Sequence, residues 1–137
     1  MHFYGSLNLL TGEEIVTRTT VMKAETTALH IQQVLAAYPD KPMLMLLDRA
    51  SWHHGPTIDA LSAANPRLEL LYFPTAAPDL NPQEHVWKAA RENVGHNHLG
   101  AKLSQLATDF ETYLKTTKFA SPLLANHDYQ RLCAMSK

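Results

Sequence analysis

The chain has 137 residues and a net charge of −1 at pH 7; 45% of its residues are hydrophobic and 18% are charged. These values are typical of one folded domain, and they exclude the strongly basic face of a protein that binds nucleic acid unaided. No apolar run approaches the roughly 20 residues of a membrane span, the first residues lack a signal-peptide pattern, and the lone cysteine, Cys133, excludes an internal disulfide framework. We therefore expect a cytoplasmic protein with no membrane partner.

Residues 2–22 are predicted to form a β-hairpin. Residues 2–9 and 14–22 read as its strands, and the second is rich in β-branched residues. The segment 10–13 between them is short and contains a glycine, as expected for the link of a hairpin.

The middle of the chain, residues 25–95, is predicted to consist of βα units. Apolar residues recur at spacings of three and four over 25–38, which predicts a helix. The apolar run 43–47 predicts a strand that is covered on both faces. A proline opens a short helix over 56–64, and a second strand follows over 67–73.

A proline-containing loop over 74–80 leads into a helix from Pro82 to about Val94. C-terminal helices are predicted within 103–135, the last of them over 129–135. A hairpin followed by βα units and helices predicts an α/β fold, with a mixed sheet flanked by helices. We expect residues 1–137 to form a single domain.

Two acidic residues are the strongest candidates for a functional site. Asp48 directly follows the predicted strand 43–47, and ligands of such sheets collect beyond the carboxyl ends of parallel strands. Glu84 falls on the first turn of a helix, whose positive end favours an ionised carboxylate. Two such acids brought together can bind Mg²⁺ or Mn²⁺. The structural alternatives are that Asp48 begins a turn and that Glu84 completes a capping box with Asn81.

Histidines offer a competing chemistry. A small hydrolase with a His–carboxylate or zinc site would need an ordered cluster of His53, His54, His85 or His98. Adjacent histidines in a loop more often face solvent or pack, and no cysteines supply the spacing of a zinc site. Trp52 either packs beside the strand end or stacks on unpaired DNA.

The segments around the two acids resemble the catalytic domain of mariner-like DDE transposases, in particular those of bacterial insertion sequences. The first segment is Leu-Asp-Arg-Ala-Ser-Trp-His over residues 47–53, where the family has roughly Leu-Asp-Asn-x-x-x-His. The second ends in Leu-Asn-Pro-Gln-Glu at Glu84 and continues to Trp87, close to the family's Leu-Asn-Pro-Ile-Glu-x-x-Trp. The resemblance covers roughly residues 3–115.

The resemblance implies a ribonuclease-H-like fold and metal-dependent cleavage and transfer of DNA strands. It implies that Asp48 and Glu84 are catalytic carboxylates that bind Mg²⁺ or Mn²⁺. On the same basis Arg49, His53 and Asn81 are expected to contact DNA.

The chain departs from the family pattern in three places. Arg49 stands where the family has Asn, and Ala76 and Ala77 replace Tyr-Ser, so the contacts of that loop are expected to be weaker. The family's first catalytic Asp lies on a central strand before the hairpin, and none of the four residues before Gly5 is acidic. We therefore expect a truncated catalytic domain that lacks its first, central strand, binds metal weakly and is inactive alone.

A missing central strand would leave two exposed hydrogen-bonding ladders. Unpaired buried backbone groups cost about 1–3 kcal/mol each, and exposed edges recruit other strands. A homodimer or a strand-swapped oligomer is therefore expected. The alternative function is a non-catalytic interaction module that pairs with itself or with a full-length transposase through its sheet edges and the helix over 103–114.

Overall fold

Strands and helices follow one another along residues 2–73, 82–94 and 103–119, which the computed structural model describes. The strands are β1 (His2–Leu7), β2 (Glu14–Thr19), β3 (Met43–Leu47) and β4 (Leu68–Tyr72). The helices are α1 (Ala24–Ala37), α2 (Pro56–Ala64), α3 (Pro82–Val94) and α4 (Leu103–Thr116), with a 3₁₀ turn at Ser51–His53. The result is a mixed α/β architecture, as predicted. Among the described residues its strands form two sheets, a small antiparallel one and a small parallel one, which are flanked by helices.

Most predicted elements are present with small changes at their ends. β3, α2 and α3 have the predicted bounds, whereas β1 and β2 are shorter than predicted. β2 ends early because the Thr19 hydroxyl accepts the Val21 amide and turns the chain away. The predicted loop at 74–80 and the helix at 129–135 lie outside the described residues.

Contacts between residues divide the chain into two compact units. Among the described residues the hairpin unit contains 3–18, 82–94 and 103–119, and the parallel unit contains 19–73. A single domain over 1–137 stays a prediction. None of the described helices is long and apolar enough to cross a membrane.

The hairpin between β1 and β2 is closed by a turn built on Asn8. Its side-chain oxygen accepts the amides of Leu10 at 2.9 Å and Thr11 at 3.2 Å, which ends the β1 ladder at Leu7. Gly12 has a φ of +77°, and its carbonyl accepts the amide of Phe119 at 2.8 Å. The turn is thereby joined to the segment that follows α4.

The core of the hairpin unit lies between the hairpin and the helices α3 and α4. Apolar residues at a spacing of four on α3 bury one face of that helix. Phe110 of α4 packs against Phe3 at 5.0 Å and Trp87 at 6.1 Å between ring centroids. The fully buried members of this core are Val16, Val86, Ala90 and Leu114.

The parallel unit is organised around β3 and β4. The two strands pair in parallel from Met43 opposite Leu68 to Leu47 opposite Tyr72, and α2 lies between them in sequence. Only Met45 of β3 is buried, and the other four residues are half-buried. Among the described residues β3 is therefore less buried than its continuous apolar run predicted.

Arg67, just before β4, joins that strand to the end of α1. Its guanidinium donates to the carbonyls of Leu35 at 2.6 Å, Tyr38 at 2.7 Å and Lys41 at 3.0 Å. Leu35 and Tyr38 lie at the carboxyl end of α1, where carbonyls lack the usual helical partner. The Leu35 carbonyl also accepts the amide of Tyr38 at 3.3 Å.

Candidate active site

The carboxyl ends of β3 and β4 meet at one edge of the parallel pair, and Asp48 lies there. The amide of Phe73 donates to the carbonyl of Leu47 at 2.8 Å, and Arg49 Nε donates to the carbonyl of Phe73 at 2.9 Å. These bonds continue the pairing of the two segments past the ends of β3 and β4. Asp48 therefore has the strand-end position that was predicted for it.

The Asp48 carboxylate makes its bonds through one oxygen. Oδ1 accepts the amide of Ala50 at 3.0 Å and faces Nδ1 of His53 at 2.7 Å. The bond from the Ala50 amide forms the turn that was the structural alternative for Asp48. This turn uses only one of the two carboxylate oxygens. Within the part of the chain that the structure describes, Oδ2 has no bonding partner, and 46% of the side chain is exposed.

His53 is held firmly at this edge. Its amide donates to the carbonyl of Ala50 at 2.9 Å, and its own carbonyl accepts the hydroxyl of Tyr72 at 2.8 Å. The ring packs edge-on against Trp52, with centroids 6.0 Å apart, and only 15% of the side chain is exposed. Trp52 thus packs beside the strand end, one of its two predicted roles.

His30, which the sequence did not single out, belongs to the same unit. It lies on the buried face of α1 and is 4% exposed. Burial, and to a lesser degree repulsion from His53, lowers the pKa of His30 from 6.5 to about 4. His30 is therefore neutral at pH 7. His30 lies between apolar residues on the buried face of an amphipathic helix, and this sequence pattern could have predicted its burial.

Glu84 belongs to the other unit. It lies exposed on the first turn of α3, as predicted. Its pairing with Asp48 remains a prediction. Asn81, the proposed cap of that helix and DNA contact, lies outside the described residues.

A buried acid lies near the start of α3 within the hairpin unit. Glu14 of β2 is 6% exposed, and it converges with Gln83 and Trp87 beside Gly5. Burial raises the pKa of Glu14 to about 8, and the neighbouring side-chain amide of Gln83 offsets part of that rise. Glu14 is therefore mostly protonated at pH 7. The sequence around Glu14 at the start of β2 did not predict that this side chain is buried.

The donor set suits part of a site for a hard divalent cation. Such ions prefer oxygen ligands, and Mg²⁺ commonly keeps several waters beside one or two carboxylates. The half-exposed Asp48 carboxylate has one oxygen that is not engaged by the turn. Among the described residues there is no group of three or more His, Cys, Asp and Glu side chains that could hold a metal ion. His54 and His85 are exposed.

Comparisons with known proteins agree with the family pattern in the sequence. The chain is 29% identical over 65 residues to an uncharacterized protein, y4pE/y4sA, of Sinorhizobium fredii; the match covers 47% of this chain and 45% of that protein. The chain thus spans less than half the length of this curated relative. No solved structure matches.

A family model described as DDE superfamily endonuclease matches residues 1–107, more than three quarters of the chain. The match includes both segments on which the resemblance rests. It confirms that resemblance, and the chain belongs to the DDE superfamily endonuclease family.

Proposed function

We propose that this chain is part of the catalytic domain of a mariner-like DNA transposase, with a ribonuclease-H-like fold. The observation that carries the proposal is the position of Asp48 at the shared carboxyl edge of β3 and β4, inside the matched family region. The substrate would be DNA, and the place of action the cytoplasm.

Asp48 and Glu84 would hold Mg²⁺ or Mn²⁺ between them. When bound, the metal would activate the attacking water or 3′-hydroxyl and stabilise charge on the phosphate. Asp48 would contribute Oδ2, since Oδ1 is engaged by Ala50 and His53. Glu84, on the first turn of α3, would contribute from an exposed position where the helix end favours its charge.

DNA contacts are proposed for Arg49, His53 and Asn81. Arg49 is exposed and carries N–H groups beyond the Nε that bonds Phe73, so its guanidinium can still meet a phosphate. Only 15% of the His53 side chain is exposed, so its contact with DNA would be limited to that part of the ring.

The 137-residue chain is proposed to be inactive by itself. Two-metal catalysis needs carboxylates on both ions, and the first twelve residues contain no acid. In a plasmid-nicking assay with Mg²⁺ or Mn²⁺, the chain should cut no faster than its Asp48→Ala variant. Nicking by the chain that Asp48→Ala abolishes would contradict this proposal and show that it holds a working site.

A second candidate function is a non-catalytic interaction module that forms a homodimer or strand-swapped oligomer, or pairs with full-length transposase. It is favoured by two sheets that have only two strands each among the described residues, because open edges recruit strands. Leu71 on β4 is 41% exposed. Light scattering should show an oligomer that Leu71→Lys weakens, and a strict monomer at all concentrations would count against this function.

A further inference from the structure

We propose that His53 is a positioning residue that fixes Oδ1 of Asp48 and so leaves Oδ2 as the oxygen for a divalent cation. This inference rests on the proposed function, because it takes Asp48 to be a metal ligand. It assigns to His53 a role inside the protein in addition to the DNA contact expected from the family.

The contact between the two side chains has the geometry of a strong hydrogen bond. Nδ1 of His53 lies 2.7 Å from Oδ1 of Asp48, which is short for a bond to a carboxylate. A carboxylate only accepts, so Nδ1 must carry the hydrogen and donate it. The Ala50 amide donates to the same oxygen at 3.0 Å. Both donors therefore hold one side of the carboxylate.

The donor is itself rigid. Backbone bonds hold the residue from both sides, through the carbonyl of Ala50 and the hydroxyl of Tyr72, and the ring packs against Trp52. A pair of mobile surface side chains contributes little because ordering them costs entropy. His53 is ordered before any ligand arrives, so its bond restricts Asp48 at little further cost.

A divalent cation benefits from such a donor. Residues that hydrogen-bond to a metal-binding carboxylate fix its orientation. Loss of such a residue typically weakens metal affinity 10- to 100-fold. Asp48 is half-exposed, and without His53 the Ala50 amide alone would hold its carboxylate among the described residues. The restricted carboxylate presents one oxygen in one orientation.

Mn²⁺ titration of the whole chain, followed by electron paramagnetic resonance of the free ion, tests the inference. His53→Leu removes the donor and should weaken Mn²⁺ binding about tenfold. His53→Asn has nearly the same shape as the leucine variant but keeps an N–H near the position of Nδ1, and it should restore most of the affinity. His54→Leu, at the exposed neighbouring histidine, should leave the affinity unchanged.

Thermal unfolding without metal separates positioning from folding. The three variants should unfold close to the wild-type midpoint. If His53→Leu does not fold, His53→Phe replaces it, because phenylalanine restores the ring volume without a donor and should weaken Mn²⁺ binding by the same factor. If His53→Leu or His53→Phe binds Mn²⁺ as tightly as the wild type while Asp48→Asn abolishes binding, the positioning role of His53 is wrong but the proposed metal site stands. Binding that is absent from the wild type, or that survives Asp48→Asn, would overturn the proposed metal site itself.

Discussion

At the scale of single residues, Arg67 makes the clearest structural contribution outside the candidate site. Arg67→Ala removes three charge-assisted bonds to carbonyls of and beyond α1. We expect the free energy of unfolding of the parallel unit to fall by about 2 kcal/mol. Arg67→Lys should recover little, because one ammonium cannot reproduce the planar fork. Urea unfolding followed by circular dichroism measures both, and a lysine variant as stable as the wild type would contradict this role.

The positions of individual side chains were predictable only where a local pattern determines them. Asp48 follows an apolar run, so its place at a strand end could be read from the sequence. Arg67 and Glu14 could not be identified in this way, because the bonds of Arg67 and the burial of Glu14 depend on elements that are distant in the chain.

At the scale of elements, Gly12 connects the hairpin turn to the segment after α4. Gly12 and Gly55 both have a positive φ, at +77° and +115°, so alanine is strained at either position. A Cβ at Gly12 would also lie 2.7 Å from the carbonyl oxygen of Phe119, whereas a Cβ at Gly55 meets nothing within 4 Å. We expect Gly12→Ala to cost about 3 kcal/mol and Gly55→Ala about 1 kcal/mol.

Hydrogen exchange measured in each unit tests this difference, because Gly12 belongs to the hairpin unit and Gly55 to the parallel unit. Equal losses of stability would show that backbone strain alone accounts for both substitutions.

The elements themselves were largely predictable. Continuous apolar residues predicted β3, and a proline at the first position predicted the starts of α2 and α3. The 3₁₀ turn at Ser51–His53 was not predicted, since it depends on bonds to Asp48 and Tyr72 rather than on periodicity. The ends of β1 and β2 were missed because side chains of Asn8 and Thr19 turn the backbone there.

At the scale of the whole molecule, the two units should respond to pH in opposite directions. Glu14 has a pKa of about 8 in the folded hairpin unit and 4.5 as its ordinary value. The folded state therefore keeps a proton that the unfolded chain loses between these values. Stability is fully present below about pH 4.5 and falls as pH rises towards 8, by at most about 1.4 kcal/mol per unit. Glu14→Gln should abolish this fall, and a hydrogen-exchange profile that keeps it would contradict the assignment.

His30 should produce the reverse dependence in the parallel unit. Its folded pKa of about 4 lies below its ordinary 6.5, so the unfolded chain takes up a proton first as the solution is acidified. Stability is present above about pH 6.5 and falls as pH decreases towards 4. His30→Gln should flatten this acid limb. A wild-type parallel unit whose exchange rates do not change with pH over this range would contradict the burial of a neutral histidine.

The proposed pairing of Asp48 with Glu84 does not follow from local patterns in the sequence. Asp48 and Glu84 are each placed by their own element, one at a strand end and one on a helix turn. Their pairing stays a prediction, because no spacing along the chain encodes it. The family resemblance is the basis for expecting it.

Paramagnetic broadening by Mn²⁺ in the ¹⁵N-labelled chain tests most directly whether Asp48 and Glu84 share a cation. A small amount of Mn²⁺ should broaden the amide signals around Asp48 and those around Glu84 together. Asp48→Asn and Glu84→Gln should each abolish broadening at both places. Broadening confined to one of the two residues, or broadening that persists in Asp48→Asn, would contradict a shared metal site.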